Sequence, residues 1–254
     1  MPAQRQPSLV RRATMVVNRR AGALKRTVQQ AHRRGGWSTA LTEGAYLFGE
    51  LAARPARRWR EQRLERRWNL DTRADTSVPH PDPGAAAFDD AVRYSPIPIH
   101  HFERLLRRLP LDDPRDYAYV DLGCGKGRTL ALAAQHRFLE VTGVEFDTRL
   151  GDIARANAYA YAAAVPDAPA ITVHTIDAVD FQFPGTPSVI FLFNPFGADT
   201  LKAVANNLMK SLDDEPRRVI LAYFNPVHAD VLEACPVLRR TASARHWTIY
   251  ESAT

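Results

Sequence analysis

The stretch Val120-Asp-Leu-Gly-Cys-Gly-Lys-Gly-Arg-Thr-Leu-Ala-Leu-Ala-Ala134 predicts a buried strand, a glycine-rich turn and a helix in direct succession. Residues 117–122 are short, apolar and β-prone, and apolar residues recur at helical spacing over residues 130–134. Three residues of the turn lack a Cβ atom, so the backbone can bend tightly and a ligand can approach its N–H groups: Gly123, Gly125 and Gly127. The stretch therefore predicts a nucleotide-type cofactor site.

The spacing of these glycines differs from that of two other nucleotide-binding turns. It reads G-x-G-x-G, whereas the dinucleotide fingerprint reads G-x-G-x-x-G. A P-loop requires Ser or Thr directly after its lysine, and here Gly127 follows Lys126. The turn alone consequently does not identify which cofactor binds.

A second predicted strand, residues 141–147, carries the acidic residue Glu145 at its end. In βαβ nucleotide folds an acidic side chain at that strand tip accepts hydrogen bonds from ribose hydroxyls. A tight strand-to-helix turn without a ligand is the alternative. The combination of turn, acid and spacing favours a cofactor.

At these residues the sequence resembles the class I, seven-strand S-adenosylmethionine (SAM) dependent methyltransferases. Their first motif is an acidic residue followed by G-x-G-x-G, matched by Asp121 and the three glycines, and their second is the acidic strand end, matched by Glu145. The resemblance implies an α/β fold with a doubly wound, mostly parallel seven-strand sheet, helices on both faces and an antiparallel last strand. It also implies SAM as the cofactor.

A third predicted strand, residues 171–176, ends at Asp177. The resemblance implies that Asp177 hydrogen-bonds the adenine amino group of SAM. A cap on the turn that follows is the alternative role for this side chain.

A fully apolar run at residues 189–193 is typical of a central parallel strand buried on both faces. It delivers Asn194-Pro-Phe-Gly197 to the carboxyl end of the sheet, where open α/β folds bind ligands. This segment resembles the N/D-P-P-F/Y motif of methyltransferases that act on nitrogen. The resemblance implies that Asn194 contacts the cofactor and the target nitrogen and that Pro195 and Phe196 contact the substrate. One proline stands where that motif has two, which leaves amino-group and small-molecule acceptors open.

The fifth predicted strand, residues 218–224, ends in a second Asn-Pro pair. Tyr223 and Asn225 are therefore expected beside Asn194 on the same rim, with Asn225 as a further substrate contact.

Tyr94 precedes a predicted helix, residues 99–109, of the kind that covers the cofactor cleft in class I methyltransferases. Tyr94, Asn194 and Tyr223 are the predicted catalytic residues, and their role is to orient a neutral amine by hydrogen bonds.

The Y-x-P segment, the D-L-G-x-G-K-G-R turn and the G-V-E strand end look most like the seven-strand protein-lysine methyltransferases and uncharacterised bacterial methyltransferases. This resemblance predicts N-methylation of an amine or a protein lysine. A small-molecule or RNA methyltransferase is one alternative, and a non-catalytic scaffold or RNA-binding protein on the same fold is another.

The positive charge lies in the first part of the chain. Residues 1–70 hold 16 Lys/Arg against 4 Asp/Glu, while the whole chain has a net charge of +6. The pattern predicts a basic helical extension (1–70) and a linker (71–90), and the resemblance implies a methyltransferase domain (91–254). Helices are predicted over residues 8–34, from Ser38 to a stop near Pro55, and over 56–68. The extension could contact nucleic acid or a membrane surface, act as a targeting segment, or pack on the catalytic domain.

Tryptophans interrupt the arginines of the third predicted helix at positions 59 and 68. Such a pattern fits stacking on nucleic-acid bases. Packing of the tryptophans on their own domain is the favoured interpretation.

The composition bounds the remaining possibilities. A chain of 254 residues that is 45% hydrophobic can bury one α/β core and has residues left for an extension. Cys124 and Cys235 form no metal-ligand spacing, so we expect a reducing compartment, no disulfide and no metal. No apolar run is long enough to cross a bilayer, which predicts a soluble cytoplasmic protein, with peripheral membrane association as the alternative.

Overall fold

The computed structural model describes Trp37, Ser38, Leu41, Ala45, Phe48, Gly49, residues 51–73 and residues 94–252. The chain divides into two compact units, with the boundary between Arg60 and Glu61. The predicted helix over residues 8–34 and most of the predicted linker lie outside the described residues. The proposed limits of the extension, linker and catalytic domain (1–70, 71–90 and 91–254) stay a prediction.

The first helix that is described without gaps, α1, covers residues 51–68. The predicted break at Pro55 is wrong, because the helix continues through this residue. Proline removes one backbone hydrogen bond, but the arginine, glutamate and leucine residues that follow are strong helix formers. None of the helices in the described ranges has the length and apolar character that a membrane span needs.

Seven strands form one sheet in the order β3-β2-β1-β4-β5-β7-β6. The first five strands pair in parallel, and β7 pairs antiparallel with both β5 and β6. The predicted fold class is therefore confirmed. The strands are β1 (Ala118–Leu122), β2 (Glu140–Val144), β3 (Ile171–His174), β4 (Ser188–Phe193), β5 (Val219–Phe224), β6 (Leu238–Ala244) and β7 (Trp247–Ser252).

Helices cover both faces of the sheet, because successive side chains of each strand point to opposite sides. The remaining helices are α2 (Ile99–Leu106), α3 (Arg128–Gln135), α4 (Thr148–Ala164), α5 (Ala198–Asp214) and α6 (Ala229–Glu233). On β4, Phe191 packs with α2 and α3 on one face, while Ile190 and Leu192 pack with α5 and α6 on the other.

Residues 61–73 belong to the same unit as the sheet. Trp68 is buried and meets the ring of Tyr161 edge-to-face, with 4.8 Å between ring centroids. Leu70 and Thr72 are also buried. The expectation that tryptophan packs on its own domain is confirmed for Trp68, whereas Trp59 is 57% exposed.

The strand register brings the predicted site residues to one edge of the sheet. Leu122 is level with Val144 of β2 and with Leu192 of β4, and Phe193 is level with Phe224 of β5. The residues that follow these positions leave the carboxyl ends of neighbouring parallel strands, which is where open α/β sheets bind ligands.

Candidate functional site

The glycine-rich turn has the backbone conformation that its composition predicts. Gly123, Gly125 and Gly127 have φ angles of 79°, 56° and 74°, in the left-handed region that other residues rarely adopt. A Cβ atom on Gly123 would lie 2.3 Å from Cβ of Pro195, and one on Gly125 would lie 2.3 Å from Cδ2 of Tyr94. Glycine is therefore required here both for the turn and for the close approach of Pro195 and Tyr94.

Glu145 binds the turn directly. Its Oε2 accepts a hydrogen bond from the N–H of Gly125 at 2.8 Å, and its Oε1 accepts one from the N–H of Asp147 at 3.0 Å. Burial raises the pKa of this carboxyl group. Each carboxylate oxygen has two lone pairs, so Glu145 retains acceptor capacity after these two bonds.

Asp121, the residue before the last in β1, lies beneath the turn with 2% of its surface exposed. Its Oδ2 accepts a hydrogen bond from the hydroxyl of Thr129, in the first turn of α3. Burial, together with the charge of Glu145, raises the pKa of Asp121 to about 7. This hydrogen bond connects the start of α3 to the end of β1. Thr129 was not among the predicted site residues.

Asp177 caps the short 3-10 helix Ala178–Asp180, since its Oδ1 accepts a hydrogen bond from the N–H of Val179 at 3.1 Å. This is the alternative role that the sequence left open. The contact with adenine stays a prediction. Asp121, Glu145 and Asp177 lie at the carboxyl ends of the neighbouring strands β1, β2 and β3.

Asn194 and Tyr223 are brought together as predicted. The hydroxyl of Tyr223 donates to Oδ1 of Asn194 at 3.0 Å, and burial raises the pKa of this phenol. Asn194 and Asn225 both have positive φ angles, 42° and 52°, which asparagine tolerates better than most residues. The N–H of Asn225 donates to the carbonyl of His246 at 2.7 Å, and the residue is exposed.

The other predicted residues contact the protein itself. Pro195 packs on Gly123, and Phe196 belongs to the core on the α5 face of the sheet. Tyr94 packs on Gly125, and its hydroxyl donates to the carbonyl of Thr72 at 2.9 Å. The catalytic role of Tyr94 and the substrate contacts of Pro195 and Phe196 stay predictions.

Besides Thr129, three residues around the turn were missed by sequence reasoning: Lys126, Arg128 and Asn157. Lys126 pairs with Asp71, Arg128 binds residues 65–72, and the side chain of Asn157 donates to the carbonyls of both Asp71 and Lys126. One signal was available in the sequence. A cation at the first position of a helix opposes the helix dipole, so Arg128 indicates a compensating partner elsewhere in the fold.

No protein-family model matches the chain, and no curated protein sequence matches it. Among solved structures, it is similar to a ribosomal protein L11 methylase from Lactobacillus delbrueckii subsp. bulgaricus (14% identity, 60% of this chain and 76% of that chain covered, TM-score 0.42). It is also similar to a magnesium protoporphyrin IX methyltransferase from Synechocystis (18% identity, 60% and 76% covered, TM-score 0.43). A third is an RNA methyltransferase from Salinibacter ruber in complex with S-adenosyl-L-homocysteine (22% identity, 62% and 92% covered, TM-score 0.43).

Proposed function

We propose that this protein is a SAM-dependent methyltransferase that methylates the nitrogen of an amine or of a protein lysine side chain. The observation that carries the proposal is the set of three carboxylates, Asp121, Glu145 and Asp177, at the ends of adjacent strands around a left-handed glycine turn. In this proposal, the three carboxylates and the three glycines bind the cofactor, and the rim at Asn194 binds the methyl acceptor.

The chemistry of these residues fits SAM. Ionised carboxylates only accept hydrogen bonds, and the donor groups of SAM are two ribose hydroxyls, an adenine amino group and an ammonium group. The sulfonium and ammonium groups are also cationic, so buried carboxylates favour them electrostatically. Glu145 would bind the ribose, and Asp177 the adenine amino group.

Most backbone N–H groups of the glycine turn are already paired within the protein. Those of Gly123 and Cys124 donate to the carbonyl of Val144, that of Gly125 donates to Glu145, and that of Gly127 donates to Cys124. In the turn itself, the carboxylate of Glu145 is therefore the group with which the proposal holds the cofactor.

SAM, when bound, supplies an electrophilic methyl group for in-line displacement by a nucleophile. Such a transfer needs proximity and orientation more than covalent help. An amine must first lose a proton to expose its lone pair, and a site with a neighbouring cation lowers the amine pKa. Asn194 would accept a hydrogen bond from the neutral amine through Oδ1, whose position is fixed by the hydroxyl of Tyr223.

The proposed function is tested by calorimetry of SAM and S-adenosylhomocysteine binding to the wild type, Glu145→Gln and Glu140→Gln. Glu140 is a matched control, because it lies at the opposite end of the same strand and is exposed. We expect micromolar binding in the wild type, a loss of at least tenfold in Glu145→Gln and no change in Glu140→Gln. Absence of binding to the wild type would refute the proposed cofactor.

Transfer is then tested with SAM labelled in the methyl group. The acceptors are a panel of small amines, lysine peptides, RNA and proteins. Label in amines or lysine side chains supports the proposed acceptor class. Label recovered in RNA alone, or in an oxygen-linked product, would refute N-methylation of amines while leaving the cofactor assignment intact.

A further inference from the structure

Arg128 is a buried cation at the first position of α3, directly after the glycine turn. Only 6% of its surface is exposed. Its Nε donates to Oγ1 of Thr72 at 2.9 Å, and its Nη2 donates to Oε1 of Glu65 at 3.1 Å and to the carbonyl of Thr72 at 3.2 Å. Its Nη1 donates to the carbonyl of Ile97 at 3.2 Å. All three guanidinium nitrogens are therefore paired, at the end of a helix whose dipole opposes a cation.

The partners of Arg128 are themselves buried and connected. Glu65 is 5% exposed; its Oε1 also accepts from the hydroxyl of Thr72 at 2.9 Å, and its Oε2 accepts from Nε of Arg73 at 2.7 Å. Buried ion pairs cost desolvation energy and contribute little net stability compared with apolar packing. Stability alone therefore does not explain this network, and its place beside the proposed cofactor turn suggests a role in positioning the turn.

Residues 65–73 are attached to the turn at a second point. Nζ of Lys126 pairs with the carboxylate of Asp71 at 3.0 Å, although the lysine side chain is only 3% exposed. The side chain of Asn157 donates to the carbonyls of Asp71 and Lys126, both at 2.8 Å, and accepts from the N–H of Asp71 at 2.8 Å. The segment is thus held against the turn by two ion pairs, Arg128–Glu65 and Lys126–Asp71, and by the side-chain amide of Asn157 from α4.

Tyr94 connects this segment to the glycine that Glu145 binds. The carbonyl of Thr72 accepts hydrogen bonds from both Arg128 and the hydroxyl of Tyr94. The ring of Tyr94 lies where a Cβ atom of Gly125 would be. A continuous path of contacts therefore runs from Arg128 through Thr72 and Tyr94 to Gly125.

We infer that Arg128 is a positioning residue for the cofactor site: by holding Thr72, it fixes the ring of Tyr94 against Gly125 and so sets the affinity for the cofactor. The inference rests on the proposed function. Arg128 has no part in the chemistry, since its guanidinium group is turned to Glu61, Glu65, Thr72 and Ile97. Its effect on the cofactor passes through Tyr94, so the two residues act as one unit.

The test is a double-mutant cycle in S-adenosylhomocysteine affinity, measured by calorimetry on the full chain. The variants are Arg128→Met, Tyr94→Ala and the double variant, and the control is Arg115→Met, which breaks an exposed pair with Asp113. We expect each single variant to weaken binding about tenfold. The double variant should bind S-adenosylhomocysteine as tightly as the weaker-binding single variant does. The reason is that the effects of two residues on one path of contacts do not add. Arg115→Met should bind like the wild type.

General loss of folded protein would instead lower the number of binding sites that calorimetry measures, without weakening the affinity of the protein that remains folded. A multiplicative double variant, or binding by Arg128→Met within twofold of the wild type, would overturn the inference while leaving the proposed function standing. No binding by the wild type would overturn both, so the two failures are distinguishable.

Two milder variants keep the inference testable if Arg128→Met does not fold. Thr72→Val removes the hydroxyl that binds Arg128, and Tyr94→Phe removes only the hydroxyl that binds Thr72. Both should weaken binding about threefold or more and should not be additive with each other. Arg128→Lys, which keeps the charge but not the fork of donors, should recover only part of the affinity. Wild-type affinity in both Thr72→Val and Tyr94→Phe would contradict the path.

Discussion

The hydroxyl of Tyr223 donates a hydrogen bond to Oδ1 of Asn194 across 3.0 Å and so joins the ends of β4 and β5. Asn194 has a φ angle of 42° and is half-buried at the rim of the sheet. The bond fixes the orientation of the Asn194 carboxamide. It therefore predicts effects on both stability and transfer.

The first prediction concerns the coupling of these two residues. Tyr223→Phe should lower the free energy of unfolding by about 1 kcal/mol, the net value of a typical hydrogen bond. Asn194→Gly keeps the positive φ angle at little cost but removes the carboxamide. In urea unfolding, the double variant should lose about 1 kcal/mol less than the sum of the single variants. Strict additivity would contradict the bond.

The second prediction separates binding from transfer at Asn194. Asn194→Gly should bind S-adenosylhomocysteine within about twofold of the wild type, because three strand-end carboxylates hold the cofactor in the proposal. Methyl transfer to an amine that the wild type methylates should fall at least a hundredfold. Label from SAM measures the transfer, and calorimetry measures the binding. Unchanged transfer would remove Asn194 from the catalytic residues.

The third prediction concerns the glycine turn. Gly125→Ala should lower the free energy of unfolding by more than about 2 kcal/mol, because a left-handed φ angle costs other residues 1–2 kcal/mol and the new Cβ would meet Tyr94. Gly185→Ala is the control, since its Cβ would meet only the end of the flexible side chain of Glu215. Urea unfolding should show a change below about 1 kcal/mol for this control. Equal losses in the two variants would contradict the steric role of Gly125.

The fourth prediction concerns pH. The pKa of Asp121 is raised from its ordinary value of 3.8 to about 7 in the folded protein, so the folded state binds more protons than the unfolded state between these pH values. Stability from this group therefore falls as pH rises from about 4 to about 7. Glu145, whose pKa is also raised, acts in the same direction.

The substitution Asp121→Asn should reduce this loss, since an amide oxygen can still accept from Thr129 but does not ionise. Urea unfolding at pH 5 and pH 8 measures the difference. We expect the wild type to lose more stability between these pH values than Asp121→Asn. An equal loss in the two proteins would show that Asp121 does not titrate in this range.

The fifth prediction links the same carboxyl groups to the proposed cofactor. A cationic sulfonium near Asp121 and Glu145 favours their ionised forms and lowers their pKa values. Binding of SAM at pH 6.5 should therefore release protons, and S-adenosylhomocysteine, which lacks the sulfonium charge, should release fewer. Calorimetry in buffers with different ionisation enthalpies measures this release. Equal release for both ligands would place the sulfonium away from these carboxylates.

The sequence predicted the parts of the site that depend on neighbouring residues. The glycine turn, Glu145 at the end of β2 and the strand that leads to Asn194 each follow from a short pattern, because alternation, glycine and apolar runs constrain the local backbone. The proximity of Asn194 and Tyr223 was also predictable, since parallel neighbouring strands end at the same edge. The break at Pro55 was wrong because one lost hydrogen bond did not outweigh the helix propensity of the residues around it.

What the sequence by itself determined is the succession of the first five strands along the chain and the acidic and glycine residues at their ends, because these depend on local backbone preferences and on burial. Only the tertiary structure decided that Arg128 binds Thr72 and Glu65, which lie 56 and 63 positions away in the chain. Charged and polar partners at such separations leave no periodic pattern. They are selected when folding excludes water from the site, where an unpaired charge is costly and only a complete set of hydrogen bonds is tolerated.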